Sequence, residues 1–383
     1  MQNNHYPTTL FFKIPLTCED TGSTGDLQLK EIQAQPLSLE DWLNYTESNE
    51  LSLRISGKIA SKPSWDNKLP PIGKYVTATH TISPELSNTC FALVKGGWVP
   101  LIHTFSDAHI IADRNIISEI NARFDGGNSY PAGRPNEDFI DYLTDKNCSC
   151  TIHTISYALE SNEKRLPFPN KIKEQHLSAY RTISRALPHI KIWPKEHADL
   201  GYIYHLADSY RSYFNEGVRL LIKLVPLVIN IPARGKRVAR WREMAEMAHN
   251  EGIALSHLAF LAILSASACT QQFNPAHKLI KPKLNYTEQD AYNSMYDLFL
   301  IALTNAMQSQ APEKKTALVT RDKNLALFWM GLTFAEDSLP DQKTIGLNRQ
   351  LLPITPEELD ELSNILGATR INKSWTPPPK LKF

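Results

Sequence analysis

The chain has 383 residues, 42% of them hydrophobic and 21% charged. That mixture suits a globular protein with a sizeable core; it excludes a disordered chain, a collagen and a disulfide-dense mini-scaffold. Forty-one lysines and arginines against forty acidic residues leave a net charge of +1. Bulk charge therefore does not advertise nucleic-acid binding, which would have to rest on a local patch.

Residues 1–104 read as a mixed, β-rich region. Thr9 to Ile14 and Leu51 to Ile55 have strand character, and Phe91 to Val94 and Trp98 to Ile102 form a hairpin around Gly96-Gly97, a pair that supplies the positive φ of the turn. The texture changes near residue 105. Ala108 to Ala112 is a short apolar run that ends in Asp113, and Arg114 to Arg123 follows as a helix. Helices are expected over Asn136 to Asp145 and Thr151 to Asn162, the latter carrying Glu160. From about 171 to 284 the pattern is helical, in segments of roughly 171–187, 196–230, 236–249 and 253–269. The apolar stretch Ile253 to Cys269 contains Ser256, His257, Ser265 and Ser267 and is short for a membrane span, so it reads as a buried helix. A capped helix starts at Thr287 and runs to Gln308, carrying Asp297. Thr316 to Thr320 is a second apolar strand that leads into Asp322, with a helix over Lys323 to Met330. Thr355-Pro356-Glu357-Glu358 is a capping box with proline at the first helical position; its helix ends at Gly367. The proline-rich tail from Trp375 to Phe383 reads as extended.

The five cysteines form no C-x-x-C pair, which fits a reducing, cytoplasmic setting rather than a zinc knuckle or disulfide framework. No signal peptide is visible at Met1 to His5, and no membrane partner is expected.

Two strands that each end in Asp and lead into a helix carry the chemistry. Near-continuous apolar strands suit a parallel sheet covered on both faces. In such sheets the ligand site lies outside the carboxyl ends of the strands. If the two strands are neighbours, Asp113 and Asp322 can share one ion. Glu160 and Asp297 fall where they could join them; an Asp in an apolar helix is costly to bury unless paired or holding a metal. Four carboxylates repel one another without cations, and hard oxygen donors select Mg²⁺ or Mn²⁺. That donor set suits metal-dependent phosphodiester hydrolysis.

Each signal has a plainer alternative. Asp113 and Asp322 could simply cap the helices that follow them. Asp297 could pair with an arginine, and Glu160 could be solvated. Asn115 could bind the ion or cap a turn; Asn293 lies one helical turn before Asp297. The run Arg234, Lys236, Arg237, Arg240 and Trp241 could follow a phosphate backbone, with Trp241 as a stacking face, or be a solvated helix face paired with Glu243 and Glu246. Arg321 and Lys323 flank Asp322 and could hold a phosphate or offset the local charge. The histidines show no metal-ligand spacing, and neither a P-loop nor a nucleophile elbow occurs.

Ile110-Ile111-Ala112-Asp113-Arg114-Asn115 resembles the opening strand of PIN-like nuclease domains. Ser156 to Asn162 resembles the helix bearing that family's Glu, and Asn293 to Asp297 resembles the helix bearing the third acid. Leu318 to Leu325 resembles the closing strand, with its Thr-x-Asp-x-x-Leu pattern. The likeness covers about 105–165 and 286–335. It implies an α/β fold of three layers, α/β/α, with a parallel sheet, over 105–340. A large helical insertion at about 171–284 would interrupt that domain, the β-rich region would precede it, and a helix and tail would follow over 341–383. It also implies Asp113, Glu160, Asp297 and Asp322 as the catalytic set holding Mg²⁺ or Mn²⁺, and an endonuclease favouring RNA over DNA. A toxin or defence effector, held in check by a protein regulator, is one setting for such an activity. The alternatives are a catalytically idle scaffold that binds RNA or a protein, and a DNA-directed nuclease.

Overall fold

The computed structural model describes residues 12–42, 51–82, 90–99, 108–125, 128–129, 140, 143–144, 149–161, 163–268, 274–310, 315–336, 343–348 and 350–367. The expected helix at Asn136 to Asp145 lies mostly outside them, as do the proline-rich tail and the first residues of the Thr9 to Ile14 strand.

The β-rich beginning is an antiparallel meander: β1 (Phe12–Thr17), β2 (Thr24–Ala34), β3 (Leu51–Ser61) and β4 (Tyr75–Ile82), paired in chain order. Alternation gives it one buried face, with Leu53, Ile55 and Ile59 of β3 inward. The hairpin β5 (Phe91–Val94) and β6 (Gly97–Val99) does not belong to this sheet. It forms the antiparallel edge of a second, six-stranded one.

That second sheet is built on β7 (His109–Ala112), which leads into helix α1 (Arg114–Arg123) and the small hairpin β8 (Phe124–Asp125) and β9 (Asn128–Ser129). Next come β10 (Thr151–His153), the short helix α2 (Ile155–Leu159), helix α3 (Pro169–Ala186) and β11 (Lys191–Trp193). Helices α4 (Gly201–Leu224), α5 (Arg237–Asn250), α6 (Leu258–Ala268), α7 (Pro275–Ile280) and α8 (Glu288–Gln310) separate β11 from β12 (Thr316–Thr320). Helix α9 (Lys323–Met330), the hairpin β13 (Leu332–Glu336) and β14 (Lys343–Leu347), and helix α10 (Pro356–Gly367) complete the described chain.

The sheet order is β11-β10-β7-β12-β5-β6, with β11, β10, β7 and β12 parallel. The architecture is therefore mixed α/β. Successive residues of the central strands face opposite ways. Ile110, Ala112, Ala317 and Val319 pack against Ile116, Ile117 and Ile120 of α1 and Ala179 and Ile183 of α3. Ile111 and Leu318 join the core formed by α4, α6, α8 and α9 on the other face. All eleven residues of α6 are buried, as its continuous apolarity requires. Among the described residues no helix is long and apolar enough to cross a membrane.

Three local expectations need correction. Thr151 to Asn162 is not one helix: Thr151–His153 is a strand, and the helix covers only Ile155–Leu159. The insertion at about 171–284 is not helices alone: between the segments 171–187 and 196–230, β11 joins the sheet edge beside β10. The segment 196–230 begins its helix only at Gly201 and tightens to a 3-10 turn at Val225–Val228, around Pro226. In the first two cases the strands are three residues long, too short to show a period.

The hairpin turn behaves as its glycines predict, with φ of +87° at Gly96 and +153° at Gly97. A methyl group at Gly96 would meet open space, but one at Gly97 would run into the backbone carbonyl of Leu37, which pairs with Trp98. Gly96→Ala should cost about 1 kcal/mol from conformation alone, and Gly97→Ala more than about 2 kcal/mol, because backbone cannot give way. Urea denaturation midpoints would test the order; equal costs would contradict it.

Candidate active site

The parallel strands run from β7 to β10 to β11 in one direction, and β12 lies on the other side of β7. The order therefore reverses between β7 and β12. A crevice opens at such a switch point, outside the carboxyl ends of the strands. Asp113 and Asp322 stand there. The ladder reaches Asp113, whose backbone N–H donates to the Val319 carbonyl at 3.0 Å.

Both acids are helix caps. Asp113 Oδ1 accepts from the Arg114 backbone N–H at 2.6 Å, at the start of α1. Asp322 Oδ1 accepts from the backbone N–H groups of Asn324 and Leu325 at 2.7 and 3.1 Å, at the start of α9. Thr320 links them. Its Oγ1 donates to Asp113 Oδ2 at 2.7 Å and accepts from the Asp322 backbone N–H at 3.0 Å. Asn115 Nδ2 donates to the same Asp113 oxygen at 2.7 Å, and Asn115 Oδ1 accepts from the Arg321 backbone N–H at 3.2 Å. Asn115 is thus a brace between α1 and the end of β12. Thr320 was outside the expected site set, although it is the Thr of the Thr-x-Asp pattern.

Glu160 sits at the C-terminal end of α2 and binds Arg114 Nη1 through Oε1 at 3.0 Å. The Arg114 guanidinium lies 5.7 Å from the centre of the Tyr157 ring. Helix α8 is tied to this segment by Tyr296, whose hydroxyl donates to the Ser156 carbonyl, and by Tyr292, whose hydroxyl accepts from the Ser161 backbone N–H at 2.6 Å. Asp297 follows Tyr296. It is half-buried, and among the described residues none donates a hydrogen bond to its carboxylate.

The four acids feel one another. Burial first, then the charges of Asp113 and Asp322 and more weakly of Glu160, push Asp297 well above the usual carboxylate range, with Lys281 opposing. Burial likewise pushes Asp113 up to about 6; the charges of Glu160 and Asp322 add to that, while hydrogen bonds from Thr320 and Arg114 oppose it. As they stand, no three His, Cys, Asp or Glu side chains among the described residues are grouped closely enough to hold an ion. Asp113 and Asp322 turn toward their helix ends and Glu160 toward Arg114. The donor set nevertheless fits a hard divalent cation: it is all oxygen, Asp322 Oδ2 is not used by the cap, and the Asp297 carboxylate has no hydrogen-bond donor among the described residues.

The other expected residues are placed differently. Asn293 is exposed and accepts from Gln289 Nε2 at 2.9 Å, so it serves the outer face of α8 rather than the acids. Trp241 is no stacking face: it is fully buried, and its Nε1 donates to Ser267 Oγ at 2.9 Å. An indole four residues after Arg237 points inward because α5 packs that side on α6. Arg237 lies 3.8 Å from Glu358 and Arg240 3.3 Å from Glu243, while Arg234 and Lys236 are exposed. Arg321 pairs with Glu119, and Lys323 Nζ lies 5.0 Å from the centre of the Trp42 ring. The buried histidines serve the core; His257, for example, is stacked on Tyr213 with centroids 4.0 Å apart.

The chain matches no family model, no curated protein and no solved structure.

A carboxyl whose pKa is raised in the folded state stabilises the fold below its unfolded value and loses that contribution as pH rises through the folded value. In EDTA the protein should therefore lose stability between about pH 4 and 6 as Asp113 ionises. Asp297→Asn removes a desolvated, unpartnered charge. It should raise the melting temperature at neutral pH by about 1 °C, the equivalent of about 1 kcal/mol in a chain of 383 residues. A lowered melting temperature in EDTA would contradict the assignment of Asp297 as a strained carboxylate.

Proposed function

We propose that the protein is a metal-dependent nuclease with a PIN-like catalytic domain, and that RNA is its substrate. One observation carries the reading: Asp113 and Asp322 stand at neighbouring strand ends of a parallel sheet, bridged by Thr320 Oγ1, and their charges and that of Glu160 bear on Asp297, to which no described residue donates a hydrogen bond. The chain order of the acids, Asp, Glu, Asp, Asp, is the order the resemblance implies. The adjacency of β7 and β12 and the helices on both sheet faces also agree with it. RNA is favoured because the resemblance is to a family dominated by ribonucleases, and a cytoplasmic setting fits the cysteine usage.

The residues have separable roles. Asp113, Glu160, Asp297 and Asp322 would hold Mg²⁺ or Mn²⁺. The ion would activate a water for attack on phosphorus and neutralise the departing 3′-oxygen. Thr320 and Asn115 orient Asp113 through the hydrogen bonds described above. Arg114 compensates Glu160 when no cation is bound, and it stands on the rim with about half its side chain exposed, within reach of a phosphate. A non-catalytic scaffold is favoured by a different observation: three of the four acids already serve the fold, two as caps and one as an ion-pair partner.

Cleavage assays separate the two. Single-stranded RNA, tRNA, single-stranded DNA and duplex DNA would be incubated with the protein in Mn²⁺ and in EDTA, beside Asp113→Asn. Asparagine also caps helices, so the variant should stay folded. RNA cleavage should need Mn²⁺ and fall more than about a hundredfold in Asp113→Asn. Wild-type activity in the variant would sink the assignment. Thr320→Val, which frees Asp113 to reorient and leaves the Asp322 backbone N–H without its acceptor, should lower the rate about 10- to 100-fold, the range usual for groups that orient metal ligands.

A further inference from the structure

Glu160 opens a ten-residue segment that ends in Pro167-Phe168-Pro169, the entry to α3. Phe168 is 49% exposed, one of few large apolar side chains so placed among the described residues. Two guanidiniums lie against its ring: Arg165 at 4.7 Å and Arg211 at 5.0 Å from the ring centre. They are held differently. Arg211 is fixed, donating to the Leu166 carbonyl at 2.8 Å, to the Pro167 carbonyl at 3.4 Å and to Asp208 at 3.0 Å. Arg165 has one ion-pair partner, Glu163 at 3.2 Å, and both are about half exposed. Exposed pairs of this kind are weak and exchange readily for another anion.

The segment is anchored along the helix that carries Asp297. Lys164 pairs with Glu288 at 3.4 Å, and Ser161 is bound by Tyr292. Nine residues of α8 separate Glu288 from Asp297, about 13 Å at 1.5 Å per residue. A strand lying on this segment would thus meet basic side chains and an aromatic ring within a few nucleotides of the acids.

We propose that Phe168 is a base-stacking subsite for a single-stranded nucleic acid that leads into the acidic crevice. Arg211 is the fixed floor beneath the ring. Arg165 swings out to a backbone phosphate and yields its place on the ring to a base. Flanking prolines hold the platform in its binding conformation beforehand, which lowers the entropy cost of docking. Stacking on an aromatic face tolerates every base, so the subsite recognises an unpaired strand and not a sequence. The inference rests on reading the acids as a nuclease centre, but its test does not use cleavage.

The test is binding in EDTA, read by fluorescence anisotropy of 5′-labelled 12-nucleotide oligo(U) and oligo(dT), with a 12-base-pair duplex as comparison. The full-length protein would be measured beside Phe168→Ala, Phe168→Leu, Phe168→Trp and Arg165→Ala, each first shown to melt as wild type does. Phe168→Ala should weaken single-strand binding about tenfold, and Phe168→Trp should restore it. Arg165→Ala should lower the salt slope by about one unit. Loss on both oligonucleotides assigns any single strand, and loss on oligo(U) alone narrows the ligand to RNA. Wild-type affinity in Phe168→Ala overturns the proposal, as does full binding by Phe168→Leu, which would mark a merely apolar contact. Absence of wild-type binding to either strand overturns it too. Phe168-dependent binding by a protein that cleaves nothing in Mn²⁺ would reject the nuclease reading and leave the subsite standing.

Discussion

The parallel pairing of β7 with β12 is the constraint on which the rest of the molecule depends. Asp113 and Thr320 are 207 residues apart and touch at 2.7 Å. Nothing local brings them together. The pairing is possible because everything between them is folded into covering layers: α1 and α3 on one face of the sheet, α4, α6 and α8 on the other. The long helical stretch is therefore no appendage to the site. It is the layer that buries Ile111 and Leu318, and it delivers α8, with Asp297, to the strand ends. Contacts of such sequence separation form late and slowly, because loop closure comes before its reward.

The same constraint creates an electrostatic conflict. Bringing the strand ends together links Asp113 and Asp322 through Thr320, and α8 adds Asp297, to which no described residue donates. Local structure answers part of this cost. Helix-end N–H groups serve two of the carboxylates, at about 1 kcal/mol per cap, and Arg114 serves Glu160. Asp297 is left to the packing of its own helix, where Met295, Leu298 and Phe299 are fully buried. The apolar run that makes α8 a good core helix also makes its aspartate expensive.

Legibility followed signal length. Strands β7 and β12, helices α1, α8 and α9, and the buried α6 were readable because each is long enough, or sharply enough bounded, to show its pattern. The capping box at Thr355 was readable because its chemistry is local: Thr355 Oγ1 and Glu358 Oε2 take each other's backbone N–H groups at 3.2 and 2.9 Å. Strands β10 and β11 were not, since three residues carry no period. The four acids were visible as strand-end and mid-helix carboxylates. The partners of Asp113 were less so: Thr320 stood in the motif but had no charge to draw attention. Trp241 misled because its neighbours in sequence are basic, while its neighbours in space are α6. Phe168 carried no sequence signal beyond two prolines; its interest comes from Arg211, 43 residues away in the chain, which no local pattern predicts.

Capping and metal binding need not compete at the same carboxylate. An ionised Asp offers two oxygens and about four lone-pair sites. Asp322 commits only Oδ1 to its helix, and its other oxygen takes no part in the cap. Asp113 commits both, one to Arg114 and one to Thr320 and Asn115. That leaves Asp113 the more rigidly aimed of the two and the more buried. The fold thereby fixes one carboxylate and leaves a second partly free. A third, Asp297, is unheld, and a fourth, Glu160, is held by an exchangeable arginine. On the proposed reading, a cation would have to draw Asp113 from these partners, and it would relieve the repulsion among the acids. The same two strand-to-helix junctions that hold the core together thus set how free each acid is to turn.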